Sequence, residues 1–196
     1  KTLEFCYVGS LYGGKRNLEL FFRAIKELID TSKINENFIN LVYAGKEIHD
    51  LKEQASKYDL EHIISDNGFI TREESIKIQN NSDIIIVITW NTIFDKGVVP
   101  GKIFECILTG KTILGIVNGN VPNSEVYKII NDINGGFAIE EASQNIEYDF
   151  ELLKKFILKS YMIKFSNNLL VPEYKNTDEF TYPIIADKII KLIENT

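Results

Sequence analysis

Ser82-Asp83-Ile84-Ile85-Ile86-Val87-Ile88-Thr89 carries the most apolar short run of the chain. A strand that is β-branched and apolar on both faces fits the centre of a parallel sheet covered by helices on each side. Beyond Trp90–Lys96 comes Gly97-Val98-Val99-Pro100-Gly101-Lys102-Ile103-Phe104-Glu105-Cys106-Ile107-Leu108-Thr109-Gly110. Pro100 suits a first helical turn and Gly110 a helix stop, so a short helix is expected over 101–109. A second apolar strand follows at Thr112–Val117.

The same strand, loop and helix unit recurs upstream. Leu3–Val8 is β-prone and runs into Gly9-Ser10-Leu11-Tyr12-Gly13-Gly14. Leu18, Phe21, Phe22, Ile25, Leu28 and Ile29 then recur at helical spacing behind Asn17, which predicts a helix over 17–30. Ile39–Ala44 with Gly45 predicts the next strand, and Leu51 and Ala55 mark the helix after it. A short strand at Ile63–Ile64 precedes Asn67-Gly68, and a last one is expected at Phe137–Ile139. Further helices are expected at 73–81, 123–133, 147–159 and 182–195, with 160–180 irregular although it carries Tyr161, Met162, Phe165 and Tyr174. Such alternation predicts an α/β fold, a single Rossmann-like, doubly wound parallel sheet of about six strands with helices on both faces. One domain is expected over 1–196, with core units in 1–145 and C-terminal helices in 146–196.

Composition narrows the function classes. The 196 residues are 44% hydrophobic and 26% charged, with 4 Pro and 12 Gly, as in a compact domain rather than a disordered or collagen-like chain. The net charge is −6 and no window gathers basic residues, so no nucleic-acid partner is expected and membrane association is at most peripheral. No apolar run approaches the roughly 20 residues of a membrane-spanning helix. Cys6 and Cys106 sit in apolar segments without metal-ligand spacing, and His49 and His62 complete no zinc pattern, which fits a reducing cytoplasm. Both histidines read as surface residues, and Cys106 reads as a buried thiol rather than a nucleophile. The chain opens at Lys1 rather than Met, directly into a strand, so it is expected to be part of a longer protein.

Ligands of such sheets bind beyond the carboxyl ends of the strands. The loop Gly9–Arg16 combines Gly9 and Gly14, which permit close backbone approach, with the Lys15-Arg16 pair and a helix start: the parts of a phosphate cradle. A surface turn with two solvated cations is the competing reading. The loop has neither Walker nor dinucleotide-fingerprint spacing. At about 100° per residue, Ile103, Phe104, Ile107 and Leu108 share one face of the short helix, and Lys102, Glu105 and Thr109 share the other. Glu105 could then accept hydrogen bonds from two vicinal hydroxyls, or simply pair with Lys102 at a solvated surface. Trp90 either touches a ligand or packs in the core.

Taken together, Gly9 with Lys15-Arg16, then Gly68-Phe69-Ile70, then Pro100-Gly101-Lys102-Ile103-Phe104-Glu105 and Thr109-Gly110-Lys111-Thr112-Ile113-Leu114 resemble the C-terminal half of GT-B glycosyltransferases over about residues 3–140. The likeness is greatest to retaining enzymes of bacterial surface-polysaccharide assembly. It implies a donor domain for a nucleotide-diphosphate sugar (UDP- or GDP-linked), transfer to a saccharide or lipid-linked acceptor, and an N-terminal acceptor domain outside this chain. It also implies a hexosyltransferase-type enzyme that is inactive as this fragment, located in the cytoplasm or at the inner face of the membrane. By position, Lys15 with Arg16 matches the cations that stabilise the leaving diphosphate. Val99, Pro100, Gly101 and Lys102 match the segment facing the phosphates, Glu105 matches the ribose-binding glutamate, and Phe69 and Ile70 match the loop contacting the base. Two positions depart from the family: Ser10 replaces a frequent Arg, and Gly97 replaces a second glutamate near the sugar, leaving Asp95 or Thr92 as substitutes. With no Asp-x-Asp motif, a metal-independent reaction without cofactors is expected. The alternatives are a non-catalytic nucleotide-binding Rossmann module and, ranked below it, a nucleotide-sugar epimerase domain.

Overall fold

The computed structural model describes residues 1–166, 168 and 170–180. Its strands are β1 (Leu3–Val8), β2 (Ile39–Ala44), β3 (Ile64–Asp66), β4 (Ile84–Trp90), β5 (Thr112–Asn118) and β6 (Gly136–Glu140). All pair in parallel, in the order β3-β2-β1-β4-β5-β6. The helices are α1 (Glu19–Asp30), α2 (Ile48–Ser56), α3 (Arg72–Asn81), α4 (Lys102–Leu108), α5 (Glu125–Asp132) and α6 (Ile146–Phe165). This is the doubly wound Rossmann-like arrangement, and its strand order reverses between β1 and β4.

The period-2 alternation of β4 divides the core. Ile84, Ile86 and Ile88 pack with Phe21, Phe22, Ile25 and Leu28 of α1, Leu51 of α2, and Phe150, Leu153 and Ile157 of α6. Ile85 and Val87 face the opposite layer with Ile103, Cys106 and Ile107 of α4 and Val126 and Ile130 of α5, while Ile78 of α3 packs against its edge. Each buried aliphatic or aromatic side chain contributes on the order of 1.5–3 kcal/mol, so the two layers together hold the sheet.

Several expected boundaries move. Helix α1 begins at Glu19 rather than at Asn17; Asn17 Oδ1 accepts from Glu19 N at 3.1 Å, while the Asn17 backbone N–H donates to Asn118 Oδ1 at 2.9 Å. Ile63 belongs to a 3₁₀ turn, Glu61–Ile63, and the third strand is the edge strand Ile64–Asp66. Helix α6 runs past 159 to Phe165, so Tyr161, Met162 and Phe165 are helical rather than irregular. Tyr161 and Phe165 meet with tilted rings at 4.6 Å, and Phe165 meets Phe38 edge-on at 5.4 Å, which gives two of these groups partners within the domain. Tyr174 is half-buried and its hydroxyl donates to Lys111 O at 2.6 Å. The helix expected at 182–195 lies outside the described residues. No helix of the described residues is long and apolar enough to cross a membrane.

Candidate functional site

The loops after β1, β2 and β3 are laced together. Gly9 N donates to Ala44 O at 2.9 Å, and Gly45 N donates to Gly68 O at 2.9 Å. Gly45 is required here, because a Cβ would collide with the Gly9 carbonyl oxygen and the Tyr43 ring. Above these loops, on the carboxyl side of β1 and β2, opens a cavity of about 720 Å³. Val8, Gly9 and Ala44 line it at the strand ends, and Phe69, Ile70, Lys102 and Glu105 line its walls, with Lys46, Glu47, Thr71, Arg72 and Ser75 completing it.

Helix α4 carries the two charged walls. Its buried side is Ile103, Cys106 and Ile107, with Phe104 half-buried against Phe180, whereas Leu108 is 81% exposed. The expected apolar face is therefore rotated: Cys106 takes the place given to Leu108, because the sheet contact runs along 103, 106 and 107. Lys102 does not pair with Glu105. Its Nζ donates to Val8 O at 2.8 Å, at the end of β1, and burial holds its pKa below the ordinary value of 10.5. Glu105 Oε1 instead accepts from Arg72 Nη2 at 3.0 Å.

Arg72 owes its position to a capping box. Thr71 Oγ1 accepts from Glu74 N at 3.2 Å, and Glu74 Oε2 accepts from Thr71 N at 2.8 Å, which fixes the start of α3. Phe69, in the loop before it, is 76% exposed, with Lys46 Nζ 4.4 Å from its ring centre.

The first glycine loop presents its cations on the β4 side instead. Lys15 Nζ lies 3.2 Å from Asp95 Oδ2 and 5.2 Å from the Trp90 ring centre. The Arg16 guanidinium lies against Tyr12 at 4.5 Å and Trp90 at 5.3 Å, and Nη1 donates to Ser10 O at 3.3 Å. Arg16 Nε and Trp90 Nε1 are buried without a protein acceptor. Gly14, with φ of 87°, makes the turn before Lys15. Val99 packs against the α4 layer, while Pro100 O and Gly101 O accept from Ile103 N and Phe104 N at 3.0 and 3.2 Å to start the helix. Asp95 N donates to Thr92 Oγ1 at 3.1 Å, so the residues considered beside Gly97 form one turn next to Lys15.

The structure thus brings Gly9, Phe69, Ile70, Lys102 and Glu105 around one cavity. Gly14, Lys15 and Arg16 do not line it, and neither do Val99, Pro100 and Gly101, which lead into α4. Sequence reasoning missed Lys46, Glu47, Thr71, Arg72 and Ser75. Signals existed for some of them: Thr71-Arg72-Glu73-Glu74 is a legible capping box, and Lys46-Glu47 directly follows the glycine that ends β2. Among the described residues, no group of three or more His, Cys, Asp or Glu side chains is set to hold a metal ion.

A six-stranded, all-parallel sheet with its cavity at the carboxyl ends beside the strand-order reversal defines the Rossmann-like class. No protein-family model matches this sequence, and no curated protein does either. Solved structures of glycosyltransferases share the fold. The lipopolysaccharide outer core galactosyltransferase WaaB is 11% identical with a TM-score of 0.62, covering 100% of this chain and 50% of WaaB. The pneumococcal O-GlcNAc transferase GtfA, solved with UDP and GlcNAc, is 16% identical with a TM-score of 0.60, covering 98% of this chain and 35% of GtfA. Sucrose-phosphate synthase from Thermosynechococcus elongatus is 12% identical with a TM-score of 0.61, covering 100% of this chain and 45% of the synthase. The chain thus spans half or less of these proteins, and its fold is that of a C-terminal domain of GT-B glycosyltransferases.

Proposed function

We propose that this chain is the donor-binding domain of a sugar transferase that uses a UDP- or GDP-linked sugar. The observation that carries the reading is the 720 Å³ cavity at the ends of β1 and β2, which Glu105 and Lys102 of α4 line together with Phe69 and Ile70. In this reading Glu105 accepts from the ribose hydroxyls, and the main chain at Phe69 and Ile70 meets the base. The diphosphate lies toward Lys15 and Arg16, past Val99, Pro100, Gly101 and Lys102. Cleavage of the bond to the sugar leaves negative charge on the β-phosphate, and fixed cations stabilise it without a metal or cofactor. The saccharide or lipid-linked acceptor is held by a separate N-terminal domain, in the cytoplasm or at the inner membrane face, during surface-polysaccharide assembly.

One observation favours a second reading. Lys15 is already paired with Asp95, and Arg16 is held by Tyr12, Trp90 and Ser10, which suits a nucleotide-binding module without transfer. A thermal-shift screen of nucleosides, nucleoside diphosphates and nucleotide sugars separates the two. The donor reading expects stabilisation to increase from nucleoside to diphosphate to sugar conjugate. A response to nucleosides and diphosphates without any further gain from the sugar supports the module.

A further inference from the structure

The loop between β1 and α1 turns through three successive residues with left-handed backbone, Tyr12, Gly13 and Gly14, at φ of 53°, 59° and 87°. Such a turn directs neighbouring amide N–H groups into one concavity, a shape that receives anions. Here the concavity is filled from within the chain. Glu47 Oε2 accepts from Ser10 Oγ at 2.5 Å and from Leu11 N at 2.6 Å, and Glu47 Oε1 accepts from Gly13 N at 3.2 Å. Ser10 Oγ in turn accepts from Tyr12 N at 3.1 Å. The loop's carbonyls are used internally, Leu11 O by Arg16 N at 3.0 Å and Tyr12 O by Lys15 N at 3.3 Å. Among the described residues, Glu47 is the acceptor of the Leu11 and Gly13 amides.

Glu47 reaches the loop from its own strand end. It stands just before α2, two residues beyond Gly45, and its amide donates to Tyr43 Oη at 3.1 Å. Gly45, by lacking a Cβ, lets the two loops approach. The carboxylate and its donors are therefore held from both sides before any ligand arrives.

We propose that Glu47 is a positioning residue that takes the place of a ligand anion in the β1 loop. A phosphate group that approaches this loop then finds the amides of Leu11 and Gly13 already taken. The filled concavity does not depend on the donor reading.

The test follows amide exchange and chemical shifts at Leu11 and Gly13 in the ¹⁵N-labelled chain. In the wild type, inorganic phosphate at millimolar concentration is expected to leave both amides unmoved. In Glu47→Ala, both are expected to exchange at least about tenfold faster, the minimum for losing a hydrogen bond to a charged group. Phosphate is then expected to shift both amides saturably, and acetate to slow their exchange again, a rescue that restored packing alone would not give. Glu47→Gln keeps the side-chain shape with one acceptor oxygen instead of two, and is expected to lose protection at one of the two amides. Phosphate shifts at Leu11 and Gly13 in the wild type would overturn the proposal. So would wild-type exchange at both amides in Glu47→Ala or, should that variant not fold, in Glu47→Gln. No nucleotide enters these measurements, so failure of the donor reading leaves their outcome intact, and the reverse also holds.

Discussion

Arg72 Nη2 and Glu105 Oε1 stand 3.0 Å apart, tying the first turn of α3 to the cavity-facing side of α4. Both side chains are solvent-accessible, so the pair is screened and adds less than about 1 kcal/mol to stability. Arg72→Ala is therefore expected to leave the urea midpoint nearly unchanged. It is expected to alter nucleotide affinity instead, because it releases the carboxylate assigned to the ribose. Titration of UDP and GDP into a variant shown to be stable measures that effect on its own.

Gly45 sits where the β1 and β2 loops touch. Gly45→Ala forces a Cβ against the Gly9 carbonyl oxygen and the Tyr43 ring, and the main chain at Gly9 cannot rotate away as a flexible side chain would. Overpacking of this kind costs about 1–3 kcal/mol. Chemical denaturation is expected to show a loss of that size, and amide shifts on Ser10 and Leu11 are expected to show the displaced loop.

Alkaline pH is expected to destabilise the fold through buried acids. Burial pushes the Cys6 thiol up from 9.0 to about 11, the Cys106 thiol from 9.0 to about 12, and the Tyr7 hydroxyl from 10.0 to about 12. Each stays neutral in the folded chain while the unfolded chain has begun to ionise. Their stabilising contribution is complete below about pH 9 and declines through the interval up to the folded values. Lys102 works in the opposite direction: its pKa is lowered, so the cost of burying its ammonium falls as pH rises toward 10.5. The three acids outnumber it. Near pH 10.5 each cysteine accounts for roughly 2 kcal/mol. Thermal unfolding under reducing conditions between pH 8 and 10.5 is expected to show a falling midpoint, with a smaller fall in Cys106→Ala.

The parts of this molecule that were readable in the sequence are those governed by local pattern. Leu3–Val8 and Ile39–Ala44 each end at a glycine, and their extents are the observed strands. The both-face apolarity of Ile84–Thr89 correctly marked a central strand. Ile64–Asp66 was harder, since an edge strand with exposed Ser65 and Asp66 has little apolar signal. Leu108 was placed on the wrong face because periodicity does not reveal where along a helix the sheet contact ends. At the cavity, Glu105 and Lys102 were visible from their place on a two-faced helix. Glu47 and Arg72 were not, because their importance lies in contacts with Ser10, Leu11 and Gly13 in one case and Glu105 in the other, partners brought close only by the parallel sheet.

Lys15 gives a contrast between ligands. Its ammonium faces Asp95 and the Trp90 ring and does not line the cavity that Phe69 and Ile70 line. Lys15→Ala is expected to weaken a nucleoside diphosphate by about 1.5–3 kcal/mol, the range for hydrogen bonds to charged groups, and to leave the nucleoside almost unaffected. The diphosphate affinity of the wild type is expected to fall with added salt more steeply than that of the variant.

The most direct test of the donor-site account is isothermal titration of UDP and of GDP into the wild-type chain and into Glu105→Ala. The account predicts that the wild type binds one of the two, and that Glu105→Ala weakens that binding by about 1.5–3 kcal/mol. If the folded wild type binds neither at millimolar concentration, or if Glu105→Ala binds as tightly as the wild type, the cavity at the ends of β1 and β2 is not the donor site.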